Sequence, residues 1–166
     1  MLVYLRHGDD RGEDVYRHDR PLNERGRKQA GKEARRLIDK LGHPDVVHVS
    51  PFRRAQQTLL HMRESFERQV ETRCDSRIAQ RLSEKQRKKA SLHPETLVLV
   101  DLDEEREAFR RRVGDHVREV QDRIAKVSNL HIWTITHQGI IEEVARQFRV
   151  KIDGDLGFLD YVIMLR

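Results

Sequence analysis

The stretch Met1-Leu2-Val3-Tyr4-Leu5-Arg6-His7-Gly8 decides how the rest of the chain is read. Leu2 to Leu5 is a short apolar run, partly β-branched and aromatic, that stops at Arg6-His7-Gly8. A run closed by charge and then glycine predicts a buried strand with a tight turn at its carboxyl end. In open α/β sheets that end is where ligands bind. Arg6 offers a planar fork for an anion, and His7 a nitrogen able to attack or to shuttle protons. Taken alone, the triplet reads first as a basic strand end facing solvent.

Three further stretches change that reading. Arg20-Pro21-Leu22-Asn23-Glu24-Arg25-Gly26 opens a helix, with Asn23 as its expected cap. Ala30, Ala34, Leu37, Ile38 and Leu41 keep one helical face, and Gly42 with Pro44 ends it. Val46 to Val49 predicts a second strand, followed by Ser50-Pro51-Phe52-Arg53-Arg54-Ala55-Gln56-Gln57-Thr58. Ser50 is expected as the N-cap of a helix with Pro51 at its first position. That puts Arg54 in the first turn, where unpaired amides already favour an anion. The third stretch, Ile135-Thr136-His137-Gln138-Gly139, closes a strand from Ile132 and opens a helix with Ile140, Ile141, Val144, Ala145 and Phe148 on one face. If the two strands that end in His7 and His137 are neighbours, both imidazoles converge with Arg6 and Arg54 at one sheet edge.

The rest of the chain continues the alternation. Val70 to Cys74 reads as a strand, and Leu97 to Val100 as a strand or packed segment. Glu104 to Val127 is the longest helix, with Arg110-Arg111-Arg112 on its solvated face. Tyr161 to Leu165 is the last strand. The pattern predicts one α/β domain over 1–166, in three layers, with a mostly parallel central sheet flanked by helices. Residues 75–94 are irregular and basic, and read as an inserted loop or lid. Asp101, Asp103, Glu104 and Glu105 read as dipole partners of the following helix, not as a metal site. His18, His43, His48, His61, His93, His116 and His131 carry no motif and are expected to be surface or packed residues.

Composition narrows the class. The chain has 166 residues, a net charge of +5 and 37% charged residues, with apolar runs distinct enough for a folded domain. The basic balance suits an anionic partner, whether a small phosphorylated substrate, a phosphoprotein or nucleic acid, without choosing among them. Only 5% of residues are aromatic, so stacking platforms are scarce and nucleic acid is disfavoured as a partner. Cys74 is the single cysteine, which excludes an intrachain disulfide. No basic leader precedes a long apolar segment, and no stretch reaches transmembrane length, so a cytoplasmic protein with no membrane partner is expected.

In order and spacing, the four stretches resemble the histidine phosphatase superfamily, the phosphoglycerate mutase-like fold. Its pattern is Arg-His-Gly near the start, a Pro-Leu-Thr-like helix opening, Ser-Pro-x-x-Arg-Ala-x-x-Thr, and a late His-x-Gly. The resemblance implies that His7 is the nucleophile that becomes phosphohistidine, with the phosphoryl oxygens held by Arg6, Arg54 and His137. Gln138 would add a backbone amide. Glu84, in Leu82-Ser83-Glu84, matches the Leu-x-Glu that many members use for the proton donor. No metal and no cofactor are implied. The chain departs from the pattern in three places. Asp9 and Asp10 follow Arg-His-Gly with no Asn before Asn23, the late motif is His-Gln-Gly, and Lys88-Lys89 follow Glu84 where glycine is common. The implied activity is hydrolysis of a phosphomonoester or of phosphohistidine. The alternatives are a mutase-type phosphotransferase, which usually carries longer inserts, and a non-catalytic phosphate-binding scaffold.

Overall fold

The computed structural model describes residues 1–12, 18–88, 92, 101, 104–152 and 154–164. Five strands form one sheet: β1 (Leu2–Arg6), β2 (Val46–Val49), β3 (Glu71–Cys74), β4 (Ile132–Thr136) and β5 (Tyr161–Met164). Their order is β3-β2-β4-β1-β5. β1, β2, β3 and β4 run parallel, while β5 closes the edge antiparallel to β1. The helices are α1 (Glu24–Leu41), α2 (Arg53–Arg63), α3 (Glu84–Lys88), α4 (Arg106–Lys126) and α5 (Gln138–Phe148). A short 3-10 turn, Ser76–Ile78, follows β3. Among the described residues no helix is long and apolar enough to cross a membrane. The expected strand at Leu97 to Val100 lies outside the described residues.

Alternation along each strand sorts side chains onto two faces. Val3, Leu5, Val47, Val49, Trp133 and Ile135 pack against Ala30, Ala34 and Leu37 of α1 and Leu59 and Met62 of α2. Leu2, Tyr4, Val46 and Ile132 face Val113, Val117 and Val120 of α4 and Ile140, Ile141 and Val144 of α5. These are the three layers. The chain leaves β1 for the α1 face and β4 for the α5 face, although the two strands are hydrogen-bonded neighbours. Connections that part on opposite faces leave a crevice at the carboxyl ends, and that is the position ligands use in this class of sheet.

Two local expectations are corrected. Ser50 is not the N-cap of α2: the helix begins at Arg53, after Phe52, which makes no side-chain cap. Asp19 serves that end from the preceding loop, its Oδ1 accepting from Arg53 N–H at 2.6 Å. Arg112 is not on a solvated face either. Its guanidinium grips both oxygens of Glu104 at 2.5 and 2.6 Å and donates to the carbonyls of Ser76, Arg77 and Ala79. Glu104 is thereby held by a side chain of α4 and stands outside the helix, which starts at Arg106. Asn23 caps α1 as expected, accepting from Gly26 N–H at 2.7 Å, and Gly42 ends it at φ +82°.

Candidate active site

Each of the four sequence stretches delivers a piece of one cluster. β1 ends at Arg6 and β4 at Thr136, and their pairing continues one residue further, with His7 N–H donating to the Thr136 carbonyl at 3.0 Å. His7 and His137 therefore leave adjacent strands together, and their ring centroids lie 5.1 Å apart. Both are buried, as is Arg54 from the first turn of α2.

Arg54 is the hub. Its Nε–H donates to His7 Nε2 at 3.0 Å, and its terminal nitrogens reach His137 Nδ1 at 3.2 Å, the His18 carbonyl at 2.5 Å and Gln80 Oε1 at 2.5 Å. A guanidinium can only donate, so the lone pairs that receive it must be on His7 Nε2 and His137 Nδ1. The remaining ring nitrogens then carry the protons. His7 Nδ1–H is 2.9 Å from the Gly8 carbonyl, and His137 Nε2–H is 2.8 Å from Ser50 Oγ. Ser50 thus orients His137 instead of capping a helix.

Burial, reinforced by the charge of Arg54, pushes the imidazoles of His7 and His137 well below the ordinary histidine range. Both are neutral at pH 7. Burial also lowers Arg54, to about 10, opposed by Asp10 and Asp19, and the group stays charged. Arg6 completes the cationic side. It donates to the Leu156 carbonyl and lies 4.5 Å over the ring of Phe158, which itself stands 5.8 Å from His7.

Tight backbone contacts hold the pieces. Gly8 N–H donates to Thr58 Oγ1 at 2.9 Å, and that hydroxyl donates to the Arg54 carbonyl, so the Arg-His-Gly and Ser-Pro stretches are stitched together. Leu22 N–H donates to Gln57 Oε1 at 2.7 Å, tying in the stretch from Arg20 to Gly26. Gly26 lies so close to the turn that a Cβ there would sit 2.2 Å from the Asp9 carbonyl oxygen. The motif glycine is needed for this approach of α1 to the Arg-His-Gly loop. Asp9 and Asp10, which stand where the family pattern has other residues, are occupied by arginines: Asp9 with Arg11 at 2.7 Å and Asp10 with Arg20 at 2.9 Å. Asp10 also lies 3.6 Å from Arg54.

The structure thus brings Arg6, His7, Arg54 and His137 together. Gln138 begins α5, where the first amides lack intrahelical partners. Its side chain turns outward to Glu142 and Asp155. Glu84 stands apart. It opens α3 with its side chain 73% exposed, and its carboxylate pairs with Lys88 at 2.9 Å. Sequence reasoning missed Ser50, Gln80, Asp19 and the His18 carbonyl as partners in the site. Only Ser50 carried a signal, its place in the Ser-Pro motif, and that signal also fits a cap. Gln80 comes from the loop after the 3-10 turn, which no pattern connects to Arg54.

Comparison with known proteins identifies the family. Residues 2–154 match the histidine phosphatase superfamily (branch 1), and the chain belongs to that family. No curated protein sequence matches it significantly. Among solved structures, the protein histidine phosphatase SixA complexed with tungstate aligns with a TM-score of 0.60 at 19% identity, covering 87% of this chain and 74% of SixA. The mycobacterial glucosyl-3-phosphoglycerate phosphatase Rv2419c aligns at 0.68 and 21% identity, covering 96% and 87%. A protein described as mycobacterial hydrolase 1 gives 0.68 and 20%, covering 96% and 86%. At these identities the similarity is one of fold: a five-stranded, mostly parallel sheet flanked by helices.

Proposed function

We propose that the protein is a metal-independent phosphatase in which His7 Nε2 attacks phosphorus and carries a covalent phosphoryl group. One observation carries this reading: Arg54 donates to His7 Nε2, which identifies the unprotonated nitrogen and faces it toward the cations. A phosphoryl group entering beside His7 takes over the Arg54 fork that the two imidazoles share without substrate. Arg6, Arg54 and His137 spread positive charge over its oxygens, as a loose transition state requires. Its negative charge favours a proton on His137 Nδ1, which turns that nitrogen from acceptor to donor. Attack at Nε2 leaves the proton on Nδ1, where it is donated to the Gly8 carbonyl, so the phosphorylated ring needs no proton loss before water cleaves the P–N bond. The Gln138 amide adds a donor at the start of α5. The superfamily contains phosphatases, and a single exposed thiol, Cys74, suits the reducing cytoplasm.

Glu84 is proposed as proton donor for alkyl leaving groups, which requires α3 to close over bound substrate and the carboxylate to leave Lys88. Its exposure favours a second reading of the substrate: a leaving group that needs no such donor, as on an aryl ester or a phosphohistidine. Residues 75–94 and the loop after Gly8 would then select the substrate. A cleft of about 220 Å³ beside Gln80, lined also by Arg81, Arg106 and Phe109, offers room for the leaving group.

Rapid denaturation during turnover of labelled substrate tests the mechanism. The label should sit on the peptide containing His7, in a bond labile to acid and stable to alkali. Label on Ser50, on Cys74 or nowhere under single-turnover conditions would count against it.

A further inference from the structure

A second group of buried polar side chains crosses the sheet beneath α4. Tyr4, Thr134 and His48 occupy one register row across β1, β4 and β2. They share the face that carries Leu2, Ile132 and Val46, and all three are buried. His116 descends from α4, fully buried, with its ring centroid 5.3 Å from His48 and 6.0 Å from Tyr4. Asp75, the first residue after β3, closes the group. Its Oδ2 lies 2.9 Å from His116 Nδ1 and 3.8 Å from His48 Nδ1.

Hydrogen bonding does not balance here. Among the described residues, Tyr4 Oη, Thr134 Oγ1, both ring nitrogens of His48 and Nε2 of His116 have no hydrogen-bond partner. Buried polar atoms are normally paired, and five unpaired ones in one place call for a further occupant. Three atoms of the group, the unpaired His48 Nδ1 and the mutually bonded Asp75 Oδ2 and His116 Nδ1, also have the spacing of a ligand set. Nitrogen and oxygen ligands at about 2.0–2.1 Å from a tetrahedral ion stand roughly 3.4 Å from one another. The two Asp75 distances fall on either side of that value, and the three ligand atoms all lie within 4.8 Å of one another.

We propose that His48 Nδ1, Asp75 Oδ2 and His116 Nδ1 bind a divalent transition-metal ion of the zinc class. Two imidazoles and one carboxylate suit zinc or cobalt, whereas calcium and magnesium ask for an all-oxygen shell. Neither ring nitrogen of His48 has a hydrogen-bond partner among the described residues, so Nδ1 is free to present its lone pair. His116 would move its proton from Nδ1 to Nε2. Arg77 holds Asp75 through both oxygens, and Glu119, 2.6 Å from the same guanidinium, offsets its charge. The Tyr4 and Thr134 hydroxyls could bond a water on the fourth position. The ion would tie β2, the end of β3 and α4 together. It would also steady the 3-10 turn whose next residues bring Gln80 to Arg54. It takes no part in phosphoryl transfer.

Because the group is buried, the chain should be refolded from denaturant with Co²⁺ and freed of loose metal. The expected result is one Co²⁺ per chain, with visible bands of a tetrahedral site, displaced by Zn²⁺ with a rise in Tm. Asp75→Asn and His48→Gln should weaken binding by at least about 100-fold. His7→Ala should bind as the wild type does. A folded wild-type protein that retains no Co²⁺ or Zn²⁺ overturns the proposal, and water then fills the row. Binding lost in His7→Ala but kept in His48→Gln places the ion in the phosphate pocket and overturns it equally. If the His48 variant does not fold, the double variant His7→Ala, His137→Ala decides: Co²⁺ retained supports the site, and Co²⁺ lost overturns it.

Discussion

The molecule holds two pairs of buried histidines that differ in what stands between them. His7 and His137 lie 5.1 Å apart and His48 and His116 lie 5.3 Å apart, centroid to centroid. Both rings of the first pair leave strand ends, whereas the second takes one ring from β2 and one from α4. Between the first pair lies the Arg54 guanidinium, which donates to both rings. Between the second lies the Asp75 carboxylate, which accepts from one ring and faces the other. A cation between two neutral imidazoles makes a receptor for an anion, since each group can turn toward a phosphoryl oxygen. An anion between two imidazoles makes a receptor for a cation. The histidines alone do not set the chemistry; the third group does.

The largest effect should come from the proposed nucleophile. His7→Ala should lower turnover of p-nitrophenyl phosphate by at least about 10³-fold, by loss of the covalent step. The ring lies beyond the end of β1 and belongs to neither apolar cluster, so Tm should change little. The same assay run in excess chelator should keep its wild-type rate, because the charge at this pair comes from side chains. Rate lost in chelator and restored by a divalent ion, with the protein still folded, would erase the distinction between the two pairs.

Removing the central cation should cost less. Arg54→Ala should lower kcat/KM by about 10²–10³-fold, as expected for one donor to developing charge. Arg54→Lys should recover only part of it, since an ammonium cannot reach both imidazoles and an oxygen in one plane. A variant that loses stability in proportion to activity would make Arg54 a structural strut.

Titration should distinguish these histidines from surface ones. The proposed attack needs neutral His7, whose pKa is depressed by burial and by Arg54. The acid limb of kcat/KM should therefore lie below about pH 6.5, the ordinary histidine value. Stability follows the same sign. His7, His137 and His48 all have lowered folded-state values, so the unfolded chain binds more protons as pH falls below about 6.5. Tm should be level above that pH and fall steadily below it. A limb centred at or above 6.5 would mean that the cluster is solvated.

The smallest effect is expected at Glu84. If α3 closes and Glu84 donates a proton, Glu84→Gln should cost about 10²–10⁴ on glycerol phosphate and little on the aryl ester, whose phenolate leaves unaided. If Glu84 stays paired with Lys88 in solvent, rates on both should remain within about twofold. The exposed pair favours the second outcome, which would direct substrate searches to phosphoramidates.

Much of the first pair was legible in the sequence and none of the second was. His7, Arg54 and His137 each sit where an apolar run meets a polar, glycine-bearing or proline-bearing stretch, and such boundaries have a local signature. Asn23, Gly42 and the apolar stripes of α1 and α5 follow from backbone and packing rules that act within a few residues. Ser50 shows the limit of that reading. A serine before proline fits a helix cap locally, yet its hydroxyl is taken by His137 from a strand 87 positions away. Arg112 likewise sits in a run of three arginines, and only the folded chain puts Glu104 and three carbonyls around it. His48, Asp75 and His116 belong to three elements and no motif. They meet because the order β3-β2-β4-β1-β5 sets His48 beside Thr134 and lays α4 across them. Local sequence determined the ends of the strands and the chemistry waiting there. Which ends became neighbours, and which buried polar groups were left to find each other, was decided by tertiary packing, because burial and pairing depend on residues far apart in the chain.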